Sequence, residues 1–143
     1  MTLHASCATR DGAGVLLTGP PGAGKSDLLL RLLDHGFTLV ADDQVEVARA
    51  GASWVASAPA ALAGLLEVRG LGLCRMPWQR HTTLALVVRL GEAVRLPMPE
   101  TFPNLGLPTV DIVPWHASAP HRVALALECA IGRVTQIAGA FAA

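Results

Sequence analysis

The sequence predicts an α/β fold, a central mixed β-sheet flanked by helices, and three stretches predict it. Val15-Leu16-Leu17 reads as a buried strand that passes through a glycine-rich turn into Asp27-Leu28-Leu29-Leu30-Arg31-Leu32-Leu33, which reads as a helix. Phe37-Thr38-Leu39-Val40-Ala41 reads as a second buried strand, and it ends in Asp42-Asp43. Further strand-like segments follow, then one stretch with helical periodicity near the end. At 143 residues the chain suits one P-loop domain over residues 1–143 and is too short for a nucleotide domain plus a large substrate domain.

The turn is Gly19-Pro20-Pro21-Gly22-Ala23-Gly24-Lys25-Ser26, which fits G-x-x-x-x-G-K-S/T between a strand and a helix. Its glycines let backbone N–H groups converge on a polyphosphate, and the helix N-terminus adds positive potential. Lys25, the one lysine among eleven basic residues, can reach the terminal phosphates, and the Ser26 hydroxyl can ligate Mg²⁺. The plain alternative is a glycine-rich helix start with a solvated lysine.

Acids and bases balance at eleven each; charged residues make up 15% and apolar ones 52%. Neither a nucleic-acid footprint nor an acidic tail is visible, so no nucleic-acid partner is expected. No apolar run approaches the length of a membrane span, and no basic start with an apolar signal core opens the chain, so a cytoplasmic location is expected. Cys7, Cys74 and Cys129 are odd in number and lack metal-ligand spacing, which predicts buried, reduced thiols. High aliphatic content with few charges points to surface covered between subunits.

In chain order, Leu3 to Thr9 and Gly14 to Thr18 flank Arg10-Asp11-Gly12-Ala13, a hairpin signal. With Asp11 and Gly12 as the turn, His4 falls opposite Gly19, where an imidazole can contact a γ-phosphate or an incoming hydroxyl. An edge-strand histidine facing solvent is the alternative. The helix from Ser26 is expected to end at His35-Gly36, with Gly36 as its cap and leucines over most of its circumference. Asp42 and Asp43 close the next strand where nucleotide enzymes hold Mg²⁺ or position the attacking group. Successive strand residues face opposite ways, so at most one of the two faces the γ-phosphate. A turn pair before Gln44 is the alternative.

Gln44 to Ala48 and Ser53 to Ser57 predict a second hairpin around Arg49-Ala50-Gly51-Ala52, with Trp54 in core or edge packing. Pro59 to Leu65 reads as a short helix leading into Leu66-Glu67-Val68-Arg69-Gly70-Leu71-Gly72. Glu67 and Arg69 stand two apart, so in extended geometry both leave one face, as a metal ligand with a phosphate-binding partner or as a structural ion pair. Cys74 to Arg80 reads as a loop and Thr82 to Leu90 as a strand. Gly91 to Pro108, with Pro97, Pro99, Pro103 and Pro108, reads as irregular chain suited to a partner or neighbouring subunit. Thr109 to Val113 is a last strand. Ser118 caps a helix predicted to run to about Gly139, with Val123, Leu127, Ile131, Val134 and Ile137 on one stripe. His116 and His121, beside the cap, read as polar loop residues first and anion contacts second.

Taken together, His4, the loop Gly19 to Ser26, Val40-Ala41-Asp42-Asp43 and Leu66-Glu67-Val68-Arg69-Gly70-Leu71-Gly72 resemble the catalytic domain of HPr kinase/phosphorylase, which acts on a serine of the bacterial phosphocarrier HPr. The resemblance runs from about residue 2 to 75 and more weakly to 138, in a short form without the family's amino-terminal domain. It implies ATP and Mg²⁺ as cofactors, with Gly19, Pro20, Pro21, Gly22, Ala23, Gly24, Lys25 and Ser26 on the phosphates and Ser26 with Glu67 on the metal. It implies that Asp43 takes the serine proton and returns it during phosphorolysis, with Asp42 beside it and His4 and Lys25 as further active-site groups. Arg69 is read as steadying the phosphoryl oxygens or the acid near them. An HPr-like phosphocarrier is the implied partner, and a homo-oligomer, a hexamer, the implied assembly. Two family features are missing: an active-site arginine between Pro97 and Pro108, and a basic loop before the last helix, of which Arg122 alone fits. The primary expectation is therefore a serine kinase of the phosphotransferase system; the alternatives are an ATP-binding module without transfer, or a small-molecule kinase related to phosphoenolpyruvate carboxykinase.

Overall fold

Eight strands join in one mixed sheet in the computed structural model, which describes residues 1–142. They are β1 (Thr2–Leu3), β2 (Ser6–Arg10), β3 (Ala13–Thr18), β4 (Thr38–Ala41), β5 (Val45–Ala50), β6 (Ser53–Ser57), β9 (His81–Leu90) and β10 (Thr109–Ile112). A separate hairpin is made by β7 (Leu65–Val68) and β8 (Gly72–Arg75), and the helices are α1 (Lys25–Leu33) and α2 (Ala119–Ala130). The strand order is β1-β5-β6-β9-β3-β2-β4, with β10 also on β9. β9 is long enough to take two neighbours in succession along one edge. Thr82 and Thr83 pair with β6, and Val87 to Leu90 pair in parallel with β10. Its other edge runs parallel to β3, so β3, β9 and β10 all deliver their carboxyl ends to one rim.

Residues 15–17 and 86–88 alternate between the two faces of the sheet, as extended chain must. Val15, Leu17, Leu86 and Val88 bury against Leu28, Leu29 and Leu32 of α1 and Val123 and Leu127 of α2. Leu16 and Val87 face the other way, against Cys7, Val40, Val45, Val47 and Leu105. Both helices thus lie on one face; β5, β6 and the segment around Leu105 cover the other. An irregularity in the β3–β9 pairing after Gly14 puts Leu84 and Leu86 on opposite faces despite their even spacing. Gly14 is needed for close approach, since a Cβ there would come within 2.5 Å of the Thr82 methyl.

The Asp11-Gly12 turn forms with φ of 52° and 78°, the left-handed pair that a two-residue hairpin turn needs, and the register of Ser6↔Leu17 to Arg10↔Ala13 follows from it. The expected strand Leu3 to Thr9 is nevertheless broken. Leu3 pairs with Val45 and the Ala5 amide donates to the Asp43 carbonyl at 3.2 Å, so His4 sits in an exposed bend on that pairing and not opposite Gly19.

Gly36 ends α1 as expected, with φ 80° and the Phe37 amide reaching back to the Leu32 carbonyl. The second helix stops at Ala130, well short of Gly139. Gly132 turns left-handed there, at φ 81°, and the amides of Arg133 and Val134 close on the Glu128 carbonyl. The apolar stripe runs past its helix, and Ile137 is 91% exposed. The segment Pro59 to Leu65 makes only a single 3-10 turn, Ala60–Leu62, and Cys74 and Arg75 belong to β8 and not to a loop. Trp54 packs at the edge as expected, its indole N–H donating to the Leu105 carbonyl at 2.9 Å. All three cysteines are free, but only Cys7 is buried; Cys74 and Cys129 are half-buried. Among the described residues no helix is long and apolar enough to cross a membrane.

Candidate active site at the glycine-rich loop

The loop from Gly19 to Gly24 joins the carboxyl end of β3 to α1. Its path turns left-handed at Gly22, with φ 80°, and at Gly24, which precedes the helix with φ 102°. No side chain caps α1, so its first amides and the positive end of its dipole face the space above the loop. Lys25 folds over that loop, its Nζ donating to the carbonyls of Gly19 at 2.7 Å and Pro20 at 3.1 Å. Among the described residues none of the ion pairs involves Lys25, leaving its charge for an anion.

A cavity of about 450 Å³ opens over the helix start. Gly22, Gly24, Lys25 and Ser26 line it from the loop and helix, Asp43 from the turn after β4, and Glu67 and Arg69 from the β7–β8 hairpin. The hairpin is placed by Leu66, which is buried in the helix-side core and thereby turns its neighbour Glu67 outward. Gly70, with φ 82°, and a hydrogen bond from the Leu71 amide to the Val68 carbonyl make the tight turn that carries Arg69. Among the described residues neither Glu67 nor Arg69 takes part in an ion pair, so the structural-pair alternative does not hold. Five of the expected residues, Lys25, Ser26, Asp43, Glu67 and Arg69, meet at one cavity; His4 and Asp42 do not line it.

The two aspartates lie in a turn beyond β4, not on the strand, and have separate surroundings. Asp42 is buried, and its Oδ1 accepts from the hydroxyls of Ser26 at 2.8 Å and Ser6 at 2.9 Å. Asp43 is exposed on the cavity. Its φ is 69°, and the Gln44 amide donates across it to the Asp42 carbonyl at 2.8 Å. That is a γ-turn with positive central φ, the rare and strained variety. For a residue other than glycine such backbone costs about 1–3 kcal/mol and persists where surroundings enforce it. The Ser6–Asp42–Ser26 chain escaped the sequence reading. The available signal was a small hydroxyl beside Cys7 and Ala8 in a strand that is buried from Ser6 to Thr9.

Phosphate chemistry fits this donor set. Lys25, Arg69 and uncapped amides offer positive charge, while Ser26, with Asp42 behind it, and Glu67 offer the oxygens that Mg²⁺ takes from a protein when phosphates complete its shell. Among the described residues no three His, Cys, Asp or Glu side chains form a metal cluster of their own. Arg89 is engaged by Asp111 and then Glu100, whose hydrogen bonds push its pKa further up.

The model of the HPr Serine kinase C-terminal domain matches residues 1–93. HPr kinase/phosphorylase of Burkholderia cenocepacia (strain HI2424) and that of Paraburkholderia phymatum are each 40% identical over 144 aligned positions, covering 91% of this chain. The chain spans 44% of the length of these relatives. A solved structure described as the Hpr(Ser) kinase/phosphatase from Coxiella burnetii matches with a TM-score of 0.71 at 24% identity, covering 93% of this chain and 89% of that one, a likeness of fold. The chain belongs to the HPr serine kinase C-terminal domain family.

Proposed function

We propose that residues 1–143 act as one P-loop kinase domain that transfers the γ-phosphoryl group of ATP to a serine of an HPr-type phosphocarrier. The observation that carries this reading is the sharing of one cavity by Lys25, Ser26, Asp43, Glu67 and Arg69. In it, Gly19 to Ser26 bind the nucleotide phosphates, Lys25 leaving the loop carbonyls for the β and γ oxygens. Ser26 and Glu67 hold Mg²⁺, with Asp42 orienting the Ser26 hydroxyl. Bound Mg²⁺ supplies neutralisation of phosphate charge. The acceptor serine Oγ bonds to the γ-phosphorus as the bond from that phosphorus to the β–γ bridging oxygen breaks, and Asp43 accepts the serine proton. Arg69 steadies the equatorial oxygens, so positioning and charge do nearly all the work. His4, beside the Asp43 backbone, is an accessory group on the acceptor side.

In phosphorolysis an oxygen of inorganic phosphate would bond to the phosphoserine phosphorus, forming pyrophosphate, as the bond from that phosphorus to the serine Oγ breaks and Asp43 returns the proton to that oxygen. Exposed Leu96, Met98 and Ile137 support self-association, and a hexamer follows from the family resemblance. A cytoplasmic site of action follows from the phosphocarrier as partner. Mass spectrometry of an HPr-type protein after incubation with this chain, ATP and Mg²⁺ tests the reading; phosphate on a serine is the expected result. The lack of any arginine from Pro97 to Pro108 favours a second reading, an ATP-binding module without transfer. Bound ATP with an unmodified carrier would be its outcome.

A further inference from the structure

Ligands of open α/β sheets sit outside the carboxyl ends of the parallel strands. Along this rim the acids and the glycine-rich loop are only part of what is present. Asp42 and Asp43 follow β4, on one side of β3; β9 and then β10 lie on the other side, and β10 leads into Val113 to Ser118. That segment packs on the loop itself, for a Cβ added to Gly24 would meet Pro114 Cβ at 3.6 Å. Arg31 of α1 donates to the carbonyls of Pro114 and, at 3.3 Å, His116. These are the residues on either side of Trp115. Its backbone is therefore tied to the same helix that starts at the loop, yet the residue is 73% exposed. Trp115 does not line the cavity itself, but an exposed aromatic ring on backbone held at both flanks, just past the carboxyl end of β10 and beside the loop, is suited to contact with another flat ring.

Resting on the nucleotide reading above, we infer that Trp115 is the platform on which the purine base of the bound nucleoside triphosphate stacks. The terminal phosphate then points toward Asp43 on one side of the loop and the base toward Trp115 on the other. Stacking on an indole reads the face of a base and not its edge, so the platform contributes affinity with little choice among purines.

The test is calorimetric titration of the full chain with ATP and, separately, inorganic tripolyphosphate, both with Mg²⁺, for the wild type, Trp115→Ala and Trp115→Phe. The wild type is expected to bind ATP more tightly than tripolyphosphate. Trp115→Ala should weaken ATP by at least roughly fivefold while changing tripolyphosphate less than twofold, and Trp115→Phe should recover most of the loss. Unchanged ATP affinity in Trp115→Ala overturns the inference, even if its KM for an acceptor protein rises. Equal weakening of both ligands also overturns it, since Trp115 would then merely support the loop. A wild-type chain that binds neither ligand refutes the phosphate site, and the base platform with it.

Discussion

Asp42 and Asp43 are adjacent carboxylates that the chain uses in different ways. Asp42 is buried and fixed by two hydroxyls, whereas Asp43 stands on the cavity in a strained turn. Asn tolerates left-handed backbone nearly as well as Asp. Asp43→Asn is therefore expected to keep its fold and its ATP affinity by calorimetry while phosphoryl transfer falls at least roughly a hundredfold. Transfer at the wild-type rate would remove Asp43 from the chemistry. Asp43→Gly separates strain from function: it should raise thermal stability by about 1 kcal/mol, because glycine meets no penalty at φ 69°, and should abolish transfer. A melting temperature lower than the wild type's would show that the turn is not strained as described. At this scale the sequence picked out five residues that the structure gathers at one cavity, because loop, aspartate pair and Glu-x-Arg each have a chemical signature. It misplaced His4, since extrapolating the hairpin register ignored the competing bond from the Ala5 amide to the Asp43 carbonyl. Which of the two aspartates goes inward depends on Ser6, a contact from another strand.

Among the elements, α1 has the most duties: it opens under the cavity, buries Leu28, Leu29 and Leu32 against the sheet, and holds the segment after β10 through Arg31. Arg31→Ala removes charge-assisted bonds to two carbonyls and the contact with Asp27. A loss of about 1–3 kcal/mol in urea unfolding is expected. Hydrogen exchange should quicken at the amides of His116 and Ala119, while amides of β3 keep their protection. Uniform quickening would instead mean general loosening. Local punctuation made α1 and the first hairpin legible: Gly24-Lys25 at one helix end, Gly36 at the other, Asp11-Gly12 in the turn. The end of α2 was not, because Val134 and Ile137 prolong an apolar stripe beyond Gly132, and periodicity does not register the backbone stop.

Over the whole molecule, strands far apart in sequence are brought together around β3 and β9, and no local pattern encodes that order. Alternation marks each strand's two faces without saying which neighbours will cover them. Cys7 reports on the resulting core. Burial pushes its thiol far up, so the folded state keeps the proton that an unfolded chain releases above about pH 8.5. The stability tied to this group is thus complete below that pH and declines above it, by about 1.4 kcal/mol per pH unit. Unfolding measured from pH 7 to 10 should show a steeper alkaline decline for the wild type than for Cys7→Ala. Parallel curves would place the thiol in contact with water. Gly14 carries a consequence for how such a protein tolerates change. The absence of one methyl group lets β3 lie against Thr82 of β9, and a stiff strand transmits that spacing about 16 Å to Gly19. A mutational survey would rank position 14 with the residues of the glycine-rich loop, although it lies a strand's length away from them: its influence is that of a shim under a distant tool rest.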